Sequence, residues 1–199
     1  MQIKHPQPIT QNRIQAQGAK MLDEYPKKVT LSDGFEFLLR PMTQCDEDKL
    51  YRFFVSLPES DRRYLRNETV DRLLIESWCR NLDYEKVLPI LAEKKGALIA
   101  NGTLHRQTHG WSKHIGEIRM TIASEYQQRG IGNMLTKEIT YLARKLNVER
   151  LMARVVTSRD YVINLFELNG FKQIATLKNF VKSVVDNSYK DIAILVKDL

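Results

Sequence analysis

Gln127-Gln128-Arg129-Gly130-Ile131-Gly132 joins a strand-like run ending near Ala123 to a helix-like run beginning near Gly130. Two glycines one residue apart let main chain approach a ligand closely. The helix start behind them presents N–H groups without intrahelical acceptors at the positive end of a dipole. Those are the features of a phosphate site. The nucleotide-triphosphate loop requires Gly-Lys-Ser/Thr, whereas Gly132 is followed by Asn133, and the dinucleotide fingerprint requires a third glycine where Leu135 stands. The strand leading into the loop, His114–Ala123, alternates apolar Ile118, Met120 and Ile122 with polar Glu117, Arg119 and Thr121. The polar face reads either as a solvated surface carrying a Glu117/Arg119 pair or, because the strand runs straight into the phosphate loop, as the border of a bound ligand.

The elements that must hold these residues follow from spacing. Gln-rich residues 1–26, with Pro6, Pro8 and Pro26, read as an arm with one short helix around Ile14–Leu22, and residues 27–199 as the domain proper. Lys27–Leu31 and Phe35–Arg40 flank Ser32-Asp33-Gly34, a hairpin through an Asp-Gly turn. Thr43 with Asp46 three residues on resembles a helix start, and a helix over Gln44–Ser56 puts Leu50, Phe53, Phe54 and Leu57 on one side. A short segment at Pro58–Tyr64 and a helix near Val70–Asn81 follow. Val87–Glu93, Ala97–Arg106 and His114–Ala123 form a meander of strands. Gly130–Leu146 carries its apolar residues as one broad helical stripe. A strand at Arg150–Thr157, a helix at Asp160–Asn169 and strands at Phe171–Val185 and Tyr189–Lys197 complete the order.

The chain has 199 residues, 43% hydrophobic and 28% charged, which suits one globular domain. Lys and Arg exceed Asp and Glu by seven, spread along the chain. Such an excess attracts anionic ligands in general. A nucleic-acid module is disfavoured, since no basic run alternates with aromatics and no zinc-finger or RNP-type motif occurs. No apolar run reaches membrane-spanning length and no leader pattern opens the sequence, so the expectation is a cytoplasmic protein with no membrane contact. Cys45 and Cys79 have no metal or redox spacing. His105 and His109 are four apart on a strand entering a turn, which does not put them on one face, and no metal is expected. Trp78 and Trp111 read as packing, and Asp61-Arg62-Arg63 as a solvated helix end.

The succession strand, Gln-x-x-Gly-x-Gly, long helix, strand, helix and Asn169-Gly170-Phe171 resembles the GCN5-related N-acetyltransferases over about Phe35–Leu199. A narrower likeness, in Tyr25-Pro26, Val29-Thr30-Leu31, Asp33-Gly34, Arg40-Pro41, Phe53-Phe54 and Arg63-Tyr64-Leu65-Arg66, is to the acetyltransferase domain of bacterial protein lysine acetyltransferases. The resemblance implies an α/β (α+β) fold with a mixed, mostly antiparallel central sheet, splayed in the middle and flanked by helices. It implies acetyl-CoA as co-substrate. Main-chain groups of Met120, Thr121 and Ile122 would then bind the pantetheine arm like an added strand, and Gln128, Arg129, Gly130, Ile131, Gly132 and Asn133 would surround the pyrophosphate.

Acetyl transfer needs a neutral amine, and a lysine of pKa about 10.4 is neutral in only about one molecule per thousand near pH 7.4. Glu117, thirteen residues before Gly130, matches the strand glutamate that acts as general base in several members of the resembled family. Two positions depart from that family. Phe166 replaces a tyrosine that protonates the leaving thiolate, with Tyr161 turned roughly 140° away on the same helix, and Arg159 replaces an asparagine that contacts pantetheine. No activated Cys or Ser pairing points to a covalent enzyme intermediate. The reading is therefore direct acetyl transfer to a primary amine. The narrower likeness favours a protein lysine; a polyamine, antibiotic or amino acid is the alternative, and a non-catalytic acyl-CoA-binding regulator is a second class.

Overall fold

The computed structural model describes residues 22–63, 65, 71–183 and 186–199. The arm at residues 1–21, including most of its expected helix, together with Tyr64, residues 66–70 and residues 184–185, lies outside them.

Among the described residues eight strands form one sheet in the order β1-β2-β3-β4-β5-β6-β8-β7. β1 (Lys27–Thr30) and β2 (Glu36–Pro41) make the expected hairpin. The Asp33 carboxylate accepts from the Phe35 amide at 2.9 Å inside that turn, and Gly34 takes φ +79°. β3 (Val87–Lys94), β4 (Ala97–Arg106) and β5 (Ile115–Ile122) follow as an antiparallel meander. Among the described residues the one parallel pairing joins β5 to β6 (Arg150–Val156), and it requires a crossover, which the long helix after the phosphate loop provides. β8 (Tyr189–Asp198) inserts between β6 and the edge strand β7 (Lys172–Lys182), antiparallel to both.

The helices occupy both faces. Gln44–Ser56, expected as one helix, divides into a 3₁₀ turn at Gln44–Asp46 and α1 (Glu47–Ser56). Asp46 causes the division by folding back to accept from the Thr43 amide at 2.7 Å and the Thr43 hydroxyl at 2.9 Å, which ties off a tight turn before the α-helix begins. α2 (Glu59–Arg62) is a single turn, and α3 (Arg72–Arg80) is capped by Asp71, whose carboxylate accepts from the Leu73 amide at 2.9 Å. Leu50, Phe53, Phe54 and Leu57 bury one side of α1 against Ile75 and Cys79 of α3 and Leu91 and Leu98 of the sheet. Burial pushes the Cys79 thiol up to about 11, so it stays an unreactive core group.

On the other face, α4 (Ile131–Lys145) buries Leu135, Ile139, Leu142 and Ala143 over β4 and β5, and α5 (Asp160–Leu168) buries Phe166 against Phe171. Residues at and just before the start of β1 dock on α4. Tyr25 donates to Glu138, Lys27 pairs with Glu138 at 2.8 Å, and hydrogen bonds from Lys145, Lys27 and Tyr141 hold the Glu24 carboxyl at about 2. No helix of the described residues is long and apolar enough to cross a membrane.

An ion-pair network ties the hairpin to the α1 side. Arg40 of β2 donates to both oxygens of Asp46, 3% exposed, and its Nη2 lies 2.6 Å from Glu93 of β3. Burial alone would raise the Asp46 carboxyl; the hydrogen bonds from Arg40 and Thr43 outweigh it and leave it below its ordinary 3.8. A depressed carboxyl stabilises the fold fully above the unfolded value of about 3.9 and loses that contribution as pH falls through the folded one. Asp46→Ala is expected to cost about 3 kcal/mol, the lower end for one partner of a buried pair because Arg40 keeps Glu93. Urea titrations at pH 7 and pH 3 check it: the deficit should be largest at pH 7 and shrink in acid.

Candidate active site

The strand pattern creates the site by ending one ladder early. β5 and β6 pair only at Ile115↔Arg150, Gly116↔Leu151 and Glu117↔Met152. Beyond Glu117, β5 stays paired with β4 as far as Ile122↔Ala100, and β6 stays paired with β8 as far as Val156↔Ile192. The β6-facing edge of Ile118–Ile122 therefore has no strand partner, and the expected splay lies here. The Ile122 carbonyl is taken by the Gln127 side-chain amide at 3.1 Å. Met120 and Ile122, on the apolar face of β5, are only half-buried because they border this opening.

At the end of the same strand the chain turns into the phosphate loop. Gln128 adopts φ +59° and Gly130, the N-cap of α4, adopts φ +95°. Left-handed residues alternating with ordinary ones turn successive N–H groups to one side, which forms an anion nest. Among the described residues, none of the N–H groups from Gln128 to Asn133 donates to a protein acceptor. The first turn of α4 carries no acidic residue, and the helix runs 15 residues behind it. The six predicted main-chain groups are thus brought together. The side chain of Arg129 points elsewhere, over the Phe35 ring at 4.7 Å and toward Asp33 at 3.6 Å.

The two glycines serve different ends. A Cβ on Gly130 would have room, its nearest neighbour being Leu31 at 3.9 Å, so its φ is what demands glycine. A Cβ on Gly132 would lie 3.1 Å from Leu165 Cδ2 and 3.2 Å from Ile122 Cδ1, so this glycine lets α4 close on α5 and β5. Close contact between helix and strand is what Gly132 secures first.

Glu117 is 11% exposed and gripped from two sides. Arg154 of β6 donates Nε and Nη2 to its two oxygens at 2.8 and 2.9 Å, and Arg119 Nη2 donates at 2.8 Å. The hydrogen bond to Glu117 raises Arg154 above its ordinary value. His105 of β4 stands directly across from Glu117 in the β4–β5 register, with its Nε2 3.0 Å from Thr103 Oγ1. Arg119, Arg154 and His105 line a cleft of about 840 Å³ that opens on the face opposite α4 and reaches Ile118 and Met120 through the splay. α1, α3 and the β7–β8 hairpin form its other walls.

Several of these residues were read otherwise from sequence. Of the two readings of the Glu117/Arg119 pair, the solvated one does not hold: Glu117 is mostly buried behind Arg119 and Arg154, which line the cleft. His105, set aside as a metal ligand from sequence, is half-buried and lines the cleft. Asp61 is more than a solvated helix end: its Oδ2 accepts from Ser124 Oγ at 2.6 Å and from Gln127 Nε2 at 3.1 Å. Phe166 is buried edge-to-face on Phe171, and the Tyr161 hydroxyl is taken by Arg159 and lies 3.5 Å from Gln127 Oε1. Among the described residues, no group of three His, Cys, Asp or Glu is placed to hold a metal.

Residues 50–171 match the family model described as Acetyltransferase (GNAT) family, more than half of the chain. The protein belongs to that family and is a transferase of it. It is 29% identical over 137 residues to Acetyltransferase Pat of Mycolicibacterium smegmatis, an overlap of 66% of this chain and 40% of that one, so it spans less than half of that relative's length. Among solved structures, the GNAT domain of S. lividans PAT superposes with TM-score 0.72 at 20% identity, covering 87% of this chain and 96% of that one. Mycobacterium smegmatis RimJ, in complex with CoA-disulfide, gives 0.70 at 19%, covering 87% and 88%. The Salmonella typhimurium protein yncA, with acetyl-CoA, gives 0.70 at 15%, covering 82% and 94%.

Glycine-to-alanine changes separate the two roles. Gly130→Ala should destabilise by about 1–2 kcal/mol, the cost of a left-handed residue with a Cβ. Gly132→Ala should be near neutral, because about 1 kcal/mol of helix propensity offsets the few tenths of an ångström that Leu165 and Ile122 must give. Urea unfolding of the two variants checks the order; equal losses would refute this division.

Proposed function

We propose that this protein transfers the acetyl group of acetyl-CoA directly to a primary amine, with a protein lysine as acceptor. The observation that carries the reading is the conjunction of a six-amide nest at Gln128–Asn133 with the unpaired strand edge at Met120–Ile122. An anion nest alone fits any phosphate, but a nest beside an open strand edge fits a diphosphate continued by an amide-bearing arm. Acetyl-CoA has that form, and two proteins of this fold hold a coenzyme A species. The likeness to Acetyltransferase Pat supports a protein acceptor. Free Cys45 and Cys79 fit a reducing compartment, and the cytoplasm is the proposed location.

Bound acetyl-CoA supplies an activated thioester. The chain's own groups do the rest. The amides of Gln128, Arg129, Gly130, Ile131, Gly132 and Asn133 hold the diphosphate. Main-chain groups of Met120, Thr121 and Ile122 align the arm in the splay, and one of their N–H groups faces the acyl oxygen as charge grows there. Glu117 takes the proton from the acceptor ammonium, and Arg119 and Arg154 fix its orientation. No side chain at position 166 can donate a proton, and a thiol leaving group of pKa about 8.5 does not require one.

A second reading is favoured by the floor itself, where Glu117 lies beneath two guanidinium groups while His105 opens to the cleft. In it His105 accepts the proton and Glu117 orders the arginines. The two differ in pH dependence, because a histidine stops acting as a base once it is protonated, and histidines as a class change charge at higher pH than carboxylates.

Glu117→Gln is expected to reduce kcat by about 10²–10⁴-fold, the range for loss of a general base, with KM for acetyl-CoA nearly kept. Thiol release with lysine peptides, run beside His105→Ala over pH 6–9, is the measurement. Wild-type turnover by E117Q would sink the Glu117 assignment, and loss of the acid limb only in the His105 variant would move the role to His105.

A further inference from the structure

The cleft on the acceptor side is charged in one sense. On the helical wall it is lined by Arg63 and Lys86, and on the hairpin side by Arg159, Lys182 and Lys190. With Arg119 and Arg154 on the floor, the described lining holds seven Lys or Arg against one carboxylate, Asp83. Two of these cations are satisfied by the floor carboxylate Glu117. Lys86 shares Asp83 at 3.3 Å and Lys190 shares Asp186 at 3.4 Å, both on the surface, where ion pairs are weak and exchangeable. Lys182 is exposed at the end of β7, next to Lys190 across the ladder, where Val181 pairs with Lys190 and Lys182 with Tyr189. None of residues 127–133 lines this cleft, so the cations do not belong to the phosphate cradle.

Positive charge lines the cleft, and the Glu117 carboxylate lies behind its floor arginines, Arg119 and Arg154. An isolated cationic amine entering such a cleft meets like charge before it reaches the carboxylate. An amine flanked by anionic groups meets opposite charge at the rim and still delivers its ammonium to Glu117. We propose that the acceptor presents its primary amine beside anionic groups, as a lysine within an acidic segment does, and that Lys182 and Lys190 with Lys86 recognise those groups. This rests on the transfer reading above and narrows its substrate. Polyamines and lysines in basic sequence are excluded as good acceptors, because the same field that gathers anions repels them.

The test uses the full chain with saturating acetyl-CoA and equal-length peptides, each with one central lysine flanked by Asp/Glu, by Ser/Gly or by Lys/Arg. Free glutamate and spermidine represent small amines with and without an anionic group. Acidic acceptors should exceed neutral ones in kcat/KM by about tenfold at low salt, and the gap should close as ionic strength screens the rim. K182E/K190E should reverse the order while K182R/K190R keeps it, and the thermal shift given by acetyl-CoA should be the same in all three proteins. Lys182→Glu alone, at an exposed strand end, serves if the double variant does not fold. Preference for acidic peptides or for glutamate supports the proposal, and the two arms show whether the anion sits on a polypeptide or a small molecule. Equal rates across flanks, preference for spermidine or basic peptides, or a selectivity unmoved by charge reversal would overturn it. If no amine is acetylated although acetyl-CoA stabilises the protein, the transfer reading fails by itself. Fluorescence anisotropy of the same peptides on the coenzyme A-loaded chain then decides the electrostatic claim, acidic peptides having to bind more tightly.

Discussion

The site depends on the point at which β5 and β6 stop pairing. Three residue pairs suffice to bring the strands side by side, and then each follows its other neighbour, β4 for β5 and β8 for β6. Main-chain groups left without partners in an interior cost about as much as lost hydrogen bonds, so the opening has to be reached by water or filled by something that hydrogen-bonds like a strand. The Glu117–Arg154 pair spans the two strands where they part, Glu117 standing at the last pairing and Arg154 two residues beyond its partner Met152. A bidentate pair at that place fixes how far the strands diverge. Glu117 thus has an architectural task whatever else it does, and its chemical role has to be separated from that task by effects on turnover at constant acetyl-CoA affinity.

The two faces of the sheet divide the labour. α4 covers the face on which the nest is built, and its packing is apolar nearly throughout, with Leu135, Ile139 and Leu142 fully buried. The opposite face is covered only in part by α1 and α3, and the uncovered strip between them and the β7–β8 hairpin is the cleft. The splay opens between the strands, and the cleft reaches Ile118 and Met120 there. In the proposed reaction a cofactor held from one side and an acceptor arriving from the other would meet there without either crossing the packed core, which would give a physical reason for joining β5 to β6 in parallel through a long helix.

Much of this was legible in the sequence, because it rests on local pattern. The β1–β2 hairpin follows from Asp33-Gly34, the meander from alternation around Lys94-Lys95-Gly96, and α4 from a helical stripe behind Gly130. The nest was legible for the same reason, since glycine spacing at a helix start fixes where N–H groups point. What was not legible depends on pairings across long stretches of chain. Arg154 is an ordinary exposed strand residue until β6 is known to lie beside β5, 37 positions from Glu117. His105 resembles a turn histidine until the β4–β5 register sets it opposite that same glutamate. The Gln44–Ser56 region departs from a single helix because aspartate at position 46 is short enough to close a turn on Thr43.

Gln127 shows how such long-range pairings give a motif residue its meaning. In sequence it is the unremarked first letter of the glycine motif. In the fold its amide donates to the Ile122 carbonyl at the end of the open strand edge and to Asp61 of α2, while its carbonyl faces the Tyr161 hydroxyl at the start of α5. Ser124 adds a second bond to the same Asp61 oxygen. The loop that carries the nest is therefore held against the strand, α2 and α5 by side chains, leaving its own N–H groups unspent. A loop anchored through its main chain would have no donors left for a phosphate, so anchoring by side chains is what leaves the nest's donors available.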